Sequence, residues 1–148
     1  MRKFSKSTIA LFVIFAIGLS LMLYPVVSDY WNSFHQSRAI ASYMESVSQL
    51  DQAEYDALLE EAREYNQSLV GHATRFTFSE EEEAEYLSLL GSTGGAVGYI
   101  EIPTVKISLP VYLGTSEAVL QTGVGTMEGT SLPVGGESTH AVLTGHRG

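Results

Sequence analysis

The 148-residue sequence contains no cysteine. Within these residues there is consequently no disulfide bond, no thiolate metal site and no cysteine nucleophile. Proline is also rare, with four residues, whereas 14 glycines are present and most of them follow residue 90. Because glycine and proline punctuate a chain with turns, this distribution predicts short segments joined by turns in the second half.

Basic residues are scarce and unevenly placed. Eight Lys and Arg stand against 17 Asp and Glu, which gives a net charge of −9, and Arg2, Lys3 and Lys6 account for three of the eight. A nucleic-acid-binding surface needs clustered basic residues that displace phosphate counterions. The composition therefore argues against a nucleic-acid partner and against a polybasic membrane-binding face.

Common signatures of catalytic, nucleotide and metal sites are missing as well. The sequence has no GxSxG, no GxGxxG and no GK[ST] motif. Its four histidines are His35, His72, His140 and His146, and no two have the i, i+4 spacing of a helical zinc site. On one continuous strand, His140 and His146 would lie about 20 Å apart, too far to share a metal ion. We expect neither a metal nor a cofactor.

An uncharged run of 22 residues separates Lys6 from Asp29. A helix of about 20 apolar residues crosses the hydrocarbon core of a bilayer, and basic residues before it keep the N-terminus in the cytoplasm. We predict cytoplasmic residues 1–7, a transmembrane signal anchor over residues 8–28 in contact with membrane lipid, and an extracytoplasmic remainder. A cleaved signal peptide is the alternative, although its apolar region would be only about 7–15 residues long.

Residues 29–95 are predicted to form a helical region. Apolar residues recur every three or four positions between Gln36 and Val70, with a break where Asp51 and Glu54 have the spacing of a helix-capping pair. This pattern predicts two amphipathic helices that pack on their own domain, with a coiled-coil partner surface as the alternative. Ser79, followed by four glutamates, predicts the start of a third helix.

Residues 96–148 have a different character. Short segments rich in β-branched and aromatic residues, "AVGYIEIP", "VKISLPVYLG", "GVGTM" and "THAVLTG", are separated by Gly and Pro turns. Apolar residues such as Ile100 and Ile102 alternate with other residues as in half-buried strands, and Glu117 to Gln121 predict one helical turn. Three or four strands are too few to close a barrel, so the sequence predicts the first part of a mainly β domain.

Four blocks of this β region resemble the catalytic domain of sortases, and more narrowly the class C sortases of Gram-positive bacteria, which polymerise pilins. In order along the chain they are "GYIEIP" from Gly98, "LPVYLGTSE" from Leu109, "GVGTMEGTSLPVGG" from Gly123 and "LTGHRG" from Leu143. The preceding order of membrane anchor and helical region also resembles that family. The resemblance implies an N-terminal part of a sortase-type β-barrel, truncated at residue 148.

The resemblance also implies an activity. Sortases use a Cys, a His and an Arg to cleave an LPxTG-type sorting signal between Thr and Gly, and an amine then resolves the thioacyl intermediate. The implied partners are LPxTG-bearing pilins or surface proteins, with a pilin lysine or a cell-wall amine as acceptor. The family histidine corresponds to His146, a general acid and base, whereas His140 is expected to be structural. The family Cys and Arg have no counterpart in these residues, so we expect the 148-residue chain alone to be inactive.

Class C sortases often carry a lid with an Asp-Pro-aromatic motif. At the corresponding positions this sequence has Phe76, Thr77 and Phe78, within a lid-like segment at about residues 72–80. The aromatic residue is present, whereas the Asp and Pro are not. The resemblance therefore leaves a Phe packed over the site as the expectation and makes an Asp-anchored lid doubtful.

Two alternative functions remain open from the sequence. One is a sortase of another class, which would anchor proteins to the cell wall. The other is a membrane-tethered binding or scaffolding module without catalysis, in which the helical pair from Gln36 to Val70 would contact a partner.

Overall fold

The computed structural model describes residues 5–72, 75–93 and 95–146. The chain divides into two compact units, Met1–Phe34 and His35–Gly148. Helix α1, Lys6–Gln49, contributes to both units.

The first unit consists of the first part of α1. At its start Ser5 caps the helix, because the Ser5 hydroxyl accepts a hydrogen bond from the backbone N–H of Thr8 at 3.2 Å. Pro25 lies inside the helix and supplies no N–H to the helical ladder. The large apolar side chains of this unit are exposed, and α1 is long and apolar enough to cross a membrane.

Within the described residues the second unit contains three more helices, and all three begin as predicted. Helix α2, Gln52–Ser68, starts with a capping box in which Asp51 and Glu54 satisfy each other's backbone N–H groups. Helix α3, Glu80–Ser88, starts with the same arrangement of Ser79 and Glu82. The fourth helix, α4, is short and covers Glu117–Thr122. These two capping boxes confirm the predicted starts of α2 and α3. The starts could be predicted because a capping box involves only residues close together in sequence.

A four-stranded sheet follows the helices. Its strands are β1 (Gly98–Ile102), β2 (Ile107–Leu113), β3 (Val124–Thr126) and β4 (Leu143–Thr144), in the spatial order β1-β2-β3-β4. The pairs β1–β2 and β3–β4 are antiparallel, whereas β2 and β3 are parallel and are joined through α4. This partial sheet, preceded by helices, confirms the predicted fold class.

The sheet differs from the sequence expectation at two places. Ile102 pairs with Ile107 next to the 3-10 turn Pro103–Val105, and their side chains are 41% and 39% exposed, more than side chains on a covered face of a sheet would be. The last predicted strand segment is also shorter than expected, since β4 has two residues opposite the three-residue β3. Alternation in sequence predicts which side chains share a face, but it does not predict where the covering layer ends.

The core lies where α2 and α3 meet the sheet. Its buried members come from α2, from the end of α3, from β2 and from the β3–β4 connection: Ala62, Tyr86, Leu90, Leu113 and Leu132. Packing of the α2 stripe against its own domain is therefore confirmed. The buried side chain of Asn66 adds a directional contact, because its amide donates to the carbonyl of Leu132 at 3.1 Å and its carbonyl accepts from the Leu132 N–H at 2.6 Å.

Candidate active site

His146 lies two residues beyond β4. Leu143 and Thr144 pair with Thr126 and Gly125 of β3, so the sheet fixes the backbone up to Thr144. The side chain of His146 is 56% exposed. A strand end that carries an exposed imidazole can present a proton donor or acceptor to a substrate in solution.

Helix α4 places a carboxylate beside this imidazole. The Nε2 atom of His146 lies 3.6 Å from Oε1 of Glu117, the first residue of α4. Both side chains are more than half exposed, so solvent weakens their attraction. The contact limits the positions that the imidazole occupies and contributes little to the stability of the fold.

His140 has a different environment from His146. Its backbone N–H donates to the hydroxyl of Ser131 at 3.2 Å, and its carbonyl accepts from the Ser131 N–H at 3.0 Å. The imidazole of His140 is exposed. His140 thus closes the β3–β4 connection through its backbone, which agrees with the structural role that the sequence suggested for it.

An aromatic cluster lies at the C-terminal end of β3, where the strand ends at Thr126. The hydroxyl of Tyr86 is 2.5 Å from Oγ1 of Thr126, and its ring packs against Tyr65 at 5.3 Å and against Phe78 at 5.8 Å. Burial raises the pKa of the Tyr86 hydroxyl, while its hydrogen bond with the Thr126 hydroxyl opposes that rise. The cluster joins α2, α3 and the sheet through a buried polar contact.

Tyr65 is less well satisfied than Tyr86. Burial and the neighbouring Tyr86 raise the pKa of the Tyr65 hydroxyl to about 12. The buried oxygen faces the backbone of Gly129, yet within the described chain it makes no hydrogen bond of normal geometry. The neutral form of Tyr65 is therefore strongly favoured in the folded protein.

The predicted lid positions are divided between surface and core. Phe76 is 63% exposed and lies under the guanidinium of Arg75, whose Cζ is 4.9 Å from the ring centroid. Thr77 is exposed, whereas Phe78 is partly buried edge-on against Tyr86. The aromatic residue expected over a site thus packs on the aromatic cluster, and the other two positions face solvent.

The backbone of Gly129 packs closely against Arg75, the residue that precedes the lid positions. A Cβ at Gly129 would lie 1.9 Å from the carbonyl oxygen of Arg75, and the φ angle of Gly129 is +75°. Both the close approach and the backbone angle require glycine at this position. The contacts of residues 75–78 are made with Gly129 and Tyr86, whereas the contact of His146 is made with Glu117. Within the described residues, His146 and the lid positions therefore make these contacts with different partners.

Two surface grooves lie away from His146. One, of about 670 Å³, lies between the end of α1, α2 and β1, and the other, of about 610 Å³, lies between α2 and α3. Neither groove is lined by His146. The exposed imidazole of His146 thus lies at the end of the sheet and outside these two grooves.

Sequence reasoning did not identify Glu117 as a neighbour of His146. The sequence indicated Glu117 only as part of a helical turn, because the histidine lies 29 positions later along the chain. A signal was available in "GTSE", where Ser116 precedes an acidic residue in the manner of a helix N-cap. That signal places the helix start, but it does not tell which strand end the helix faces.

Residues 100–148 match the family model of the sortase domain. These residues belong to a sortase domain. Sequence comparison with curated proteins gives no match. The sortase match begins inside β1 and includes His146, so the strand end described above lies within the sortase domain.

Solved sortase structures resemble a larger part of the chain. Sortase C1 from Streptococcus agalactiae is 44% identical, with a TM-score of 0.69 over 75% of this chain and 58% of that protein. Sortase C from Streptococcus pneumoniae is 40% identical, with a TM-score of 0.61 over 75% of this chain and 56% of that protein. Sortase A from Corynebacterium diphtheriae is 35% identical, with a TM-score of 0.58 over 76% of this chain and 57% of that protein.

These comparisons extend the sortase likeness beyond the β strands. Because about three quarters of the chain aligns, the likeness includes helical residues that precede the sortase-domain match. The chain spans somewhat more than half the length of the sortase structures that it resembles. The structures that the chain resembles include sortases C from two streptococci.

Proposed function

We propose that the chain is the N-terminal part of a membrane-anchored class C sortase, a cysteine transpeptidase that acts on LPxTG-type sorting signals and joins pilin subunits through isopeptide bonds. The observation that carries this proposal is the position of His146, an exposed imidazole at the end of β4 inside the sortase domain. The similarity to Streptococcus pneumoniae sortase C, a structure described in terms of catalysis and pilin substrate specificity, supports the class.

In this proposed reaction His146 takes part in two proton transfers. A cysteine thiolate, supplied by sequence outside these 148 residues, attacks the Thr carbonyl carbon and the Thr–Gly bond breaks. His146 gives a proton to the leaving glycine amine, so that a thioacyl enzyme and a free amine result. His146 then accepts a proton from the lysine amine that attacks the thioester, and the thiolate is released. The exposed position of the imidazole suits both transfers, because donor and acceptor amines arrive from solvent.

A peptide-transfer assay of the full-length enzyme tests this role. We expect His146→Gln to lower turnover of an LPxTG peptide in the presence of an amine acceptor by about 10²–10⁴-fold, the usual contribution of general acid–base catalysis. His140→Gln is the matched control and should keep near-normal turnover, since His140 acts through its backbone. Normal turnover by the His146 variant would contradict the assignment. The 148-residue chain alone, which has no cysteine, should show no transfer.

The amine acceptor that the enzyme prefers distinguishes the class C proposal from a second candidate function. The second candidate is the one that the sequence left open, a sortase of another class that anchors proteins to the cell wall. A competition between a pilin lysine peptide and a cell-wall peptide amine separates the candidates. Preferred transfer to the lysine peptide supports the class C proposal, and preferred transfer to the cell-wall amine supports the second candidate.

We also propose that the N-terminus is cytoplasmic and that the sortase domain lies outside the membrane. The asymmetry of basic residues around the apolar run supports this orientation. The cysteine-free chain allows a clean test with a single introduced thiol. An impermeant maleimide added to intact cells should label Gln67→Cys, an exposed position on α2, and leave Ser5→Cys unlabelled. The reverse labelling would contradict the orientation.

A further inference from the structure

A carboxylate in the β3–β4 connection fixes the segment that leads into α4. Both oxygens of Glu128 accept hydrogen bonds from Thr115, one from its backbone N–H and one from its hydroxyl, each at 3.0 Å. Glu128 and Thr115 are partly buried, so water competes with these bonds less than at an open surface. Because a charged acceptor binds two donors of one residue, the pair holds Thr115 in one orientation.

The neighbouring glycine makes room for this carboxylate. Gly114 is buried and has a φ angle of +81°, and a Cβ there would lie 3.2 Å from Oε1 of Glu128 and 3.2 Å from Cδ2 of Leu87. Any larger residue would therefore meet the carboxylate as well as backbone strain. The site around Thr115 is thus built to accept Glu128.

Helix α4 depends on such anchors at its ends. With six residues it is too short to be stable alone, since isolated helices of fewer than about 12–15 residues are marginal in water. At its end Gly123 lies so close to β2 that a Cβ would be 2.5 Å from the Pro110 carbonyl. At its start the internal cap is long, with 3.4 Å between the Val119 N–H and the Ser116 hydroxyl. The bonds from Thr115 to Glu128 are therefore the tighter anchor at the start of the helix.

The start of α4 is also the part that faces the catalytic histidine. Glu117 is two residues beyond Thr115, and its carboxylate is the charged group paired with His146 within the described chain. A movement of the α4 start would carry Glu117 away from the imidazole, whereas the backbone of β4 would stay with the sheet. Glu128 lies just beyond the C-terminal end of β3. Through Thr115 it thus sets the position of Glu117 relative to His146.

We propose that Glu128 is a positioning residue for His146, which acts by clamping Thr115 and thereby holding Glu117 against the imidazole. The functional consequence rests on the proposed role of His146 in proton transfer, but the positioning itself is a property of the described chain. Glu128 does not touch the reacting atoms, and its contribution passes through Glu117.

A double-mutant cycle on the full 148-residue chain in detergent micelles tests the positioning. The readout is the ring-proton resonance of His146 at one fixed pH, for the chain, for Glu128→Ala, for Glu117→Gln and for the double variant. We expect each single variant to shift the resonance. In the Glu117→Gln background, the Glu128→Ala shift should fall to less than about half, because residues that act through one another are not additive.

Matched variants separate positioning from general loss of structure. Glu137→Ala removes an exposed carboxylate from the same β3–β4 connection and should leave the resonance unchanged. Thr115→Val removes only the hydroxyl bond to Glu128 and keeps the backbone bond, so its shift should have the same sign as that of Glu128→Ala and be smaller. If Glu128→Ala disturbs the fold, Thr115→Val still gives the answer.

Two outcomes would overturn the inference. One is an unchanged His146 resonance in Glu128→Ala and Thr115→Val, and the other is fully additive shifts in the cycle. The peptide-transfer assay of the full-length enzyme provides the separate functional arm. There, Glu128→Ala should lower kcat about fivefold with little change in KM, since misplacement affects the transfer step more than binding. An active His146→Gln enzyme would refute the proposed function while leaving the outcome of the resonance cycle valid.

Discussion

The junction between helices and sheet is built differently from the strand end that carries His146. The helix–sheet junction, which comprises Asn66, Leu132, Tyr86 and Thr126, consists of buried groups joined by hydrogen bonds of 2.5–3.1 Å. Within the described residues, the contact of His146 is an exposed imidazole–carboxylate approach of 3.6 Å to Glu117. The scaffold is thus held by buried directional bonds, and the His146 imidazole is left open to solvent.

This difference has a chemical reason. A buried polar group must keep its partner, because the loss of one partner leaves the other desolvated and unsatisfied. An imidazole that exchanges protons with amines from solvent needs access, and exposure lowers the strength of any ion pair that it makes. The comparison predicts that substitutions at the helix–sheet junction change stability, whereas substitutions next to His146 change function.

The largest effect on stability is expected at Asn66. Asn66→Ala leaves the N–H of the buried Leu132 without a partner, whereas the Leu132 carbonyl still accepts from the Val134 N–H. We therefore expect the free energy of unfolding to fall by about 2–3 kcal/mol. Urea unfolding of the chain in detergent micelles, followed by the near-ultraviolet circular dichroism of its tyrosines, measures the change. Gln67→Ala, at the exposed neighbouring position on α2, should change stability by less than about 0.5 kcal/mol. Equal losses for the two variants would show that the Asn66 contact is unimportant.

The next effect distinguishes two tyrosines in the same aromatic cluster. Tyr86→Phe removes the buried contact with the Thr126 hydroxyl, which then keeps only its bond to the Tyr112 carbonyl, so we expect a loss of about 1–2 kcal/mol. Tyr65→Phe removes a buried hydroxyl that makes no hydrogen bond of normal geometry, so its effect should lie within about 0.5 kcal/mol of zero or be stabilising. The same urea titration compares the two. A larger loss for Tyr65→Phe than for Tyr86→Phe would reverse the roles assigned to them.

Local chemistry made part of this scaffold predictable. The starts of α2 and α3 followed from Asp51 with Glu54 and from Ser79 with its glutamates, because the groups that cap a helix are near neighbours in sequence. The strands were located by their β-branched residues and flanking turns. The exposure of Ile102 was not predictable, since it depends on where the helices stop covering the sheet.

Contacts between distant residues could not be predicted in this way. Asn66 resembles any polar residue on a helix until Leu132, 66 positions later, is placed beside it. His146 became a candidate through the resemblance of "LTGHRG" to the sortase motif, but its partner Glu117 depends on the crossover between β2 and β3. The lid positions remain a prediction from the resemblance, and the structure adds that Phe78 packs on Tyr86.

A smaller effect is expected from alkaline pH. The pKa of the Tyr65 hydroxyl is about 12 in the folded chain, compared with 10.0 for an unperturbed tyrosine. Because the unfolded chain loses this proton first, the stability contributed by neutral Tyr65 is complete below pH 10 and declines as the pH rises toward 12. We expect about 1 kcal/mol after allowance for the partial exposure of the side chain.

Comparison of melting temperatures at pH 8 and pH 11 measures this contribution. The two chains, native and Tyr65→Phe, should melt at nearly the same temperature at pH 8. At pH 11 the Tyr65→Phe chain should melt at the higher temperature, since it has no phenol to ionise at this position. Parallel losses in both chains would assign the alkaline sensitivity to other groups.

The smallest effect on stability is expected beside His146. Glu117→Gln removes the charge that faces the imidazole, and because both side chains are exposed we expect a change of less than about 0.5 kcal/mol in the free energy of unfolding. The same urea titration measures it, with Glu137→Gln, at an exposed position in the β3–β4 connection, as the control. A loss as large as that of Asn66→Ala would mean that the strand end is part of the scaffold. The contrast between the two regions would then fail, because a residue that serves His146 would also be holding the fold together.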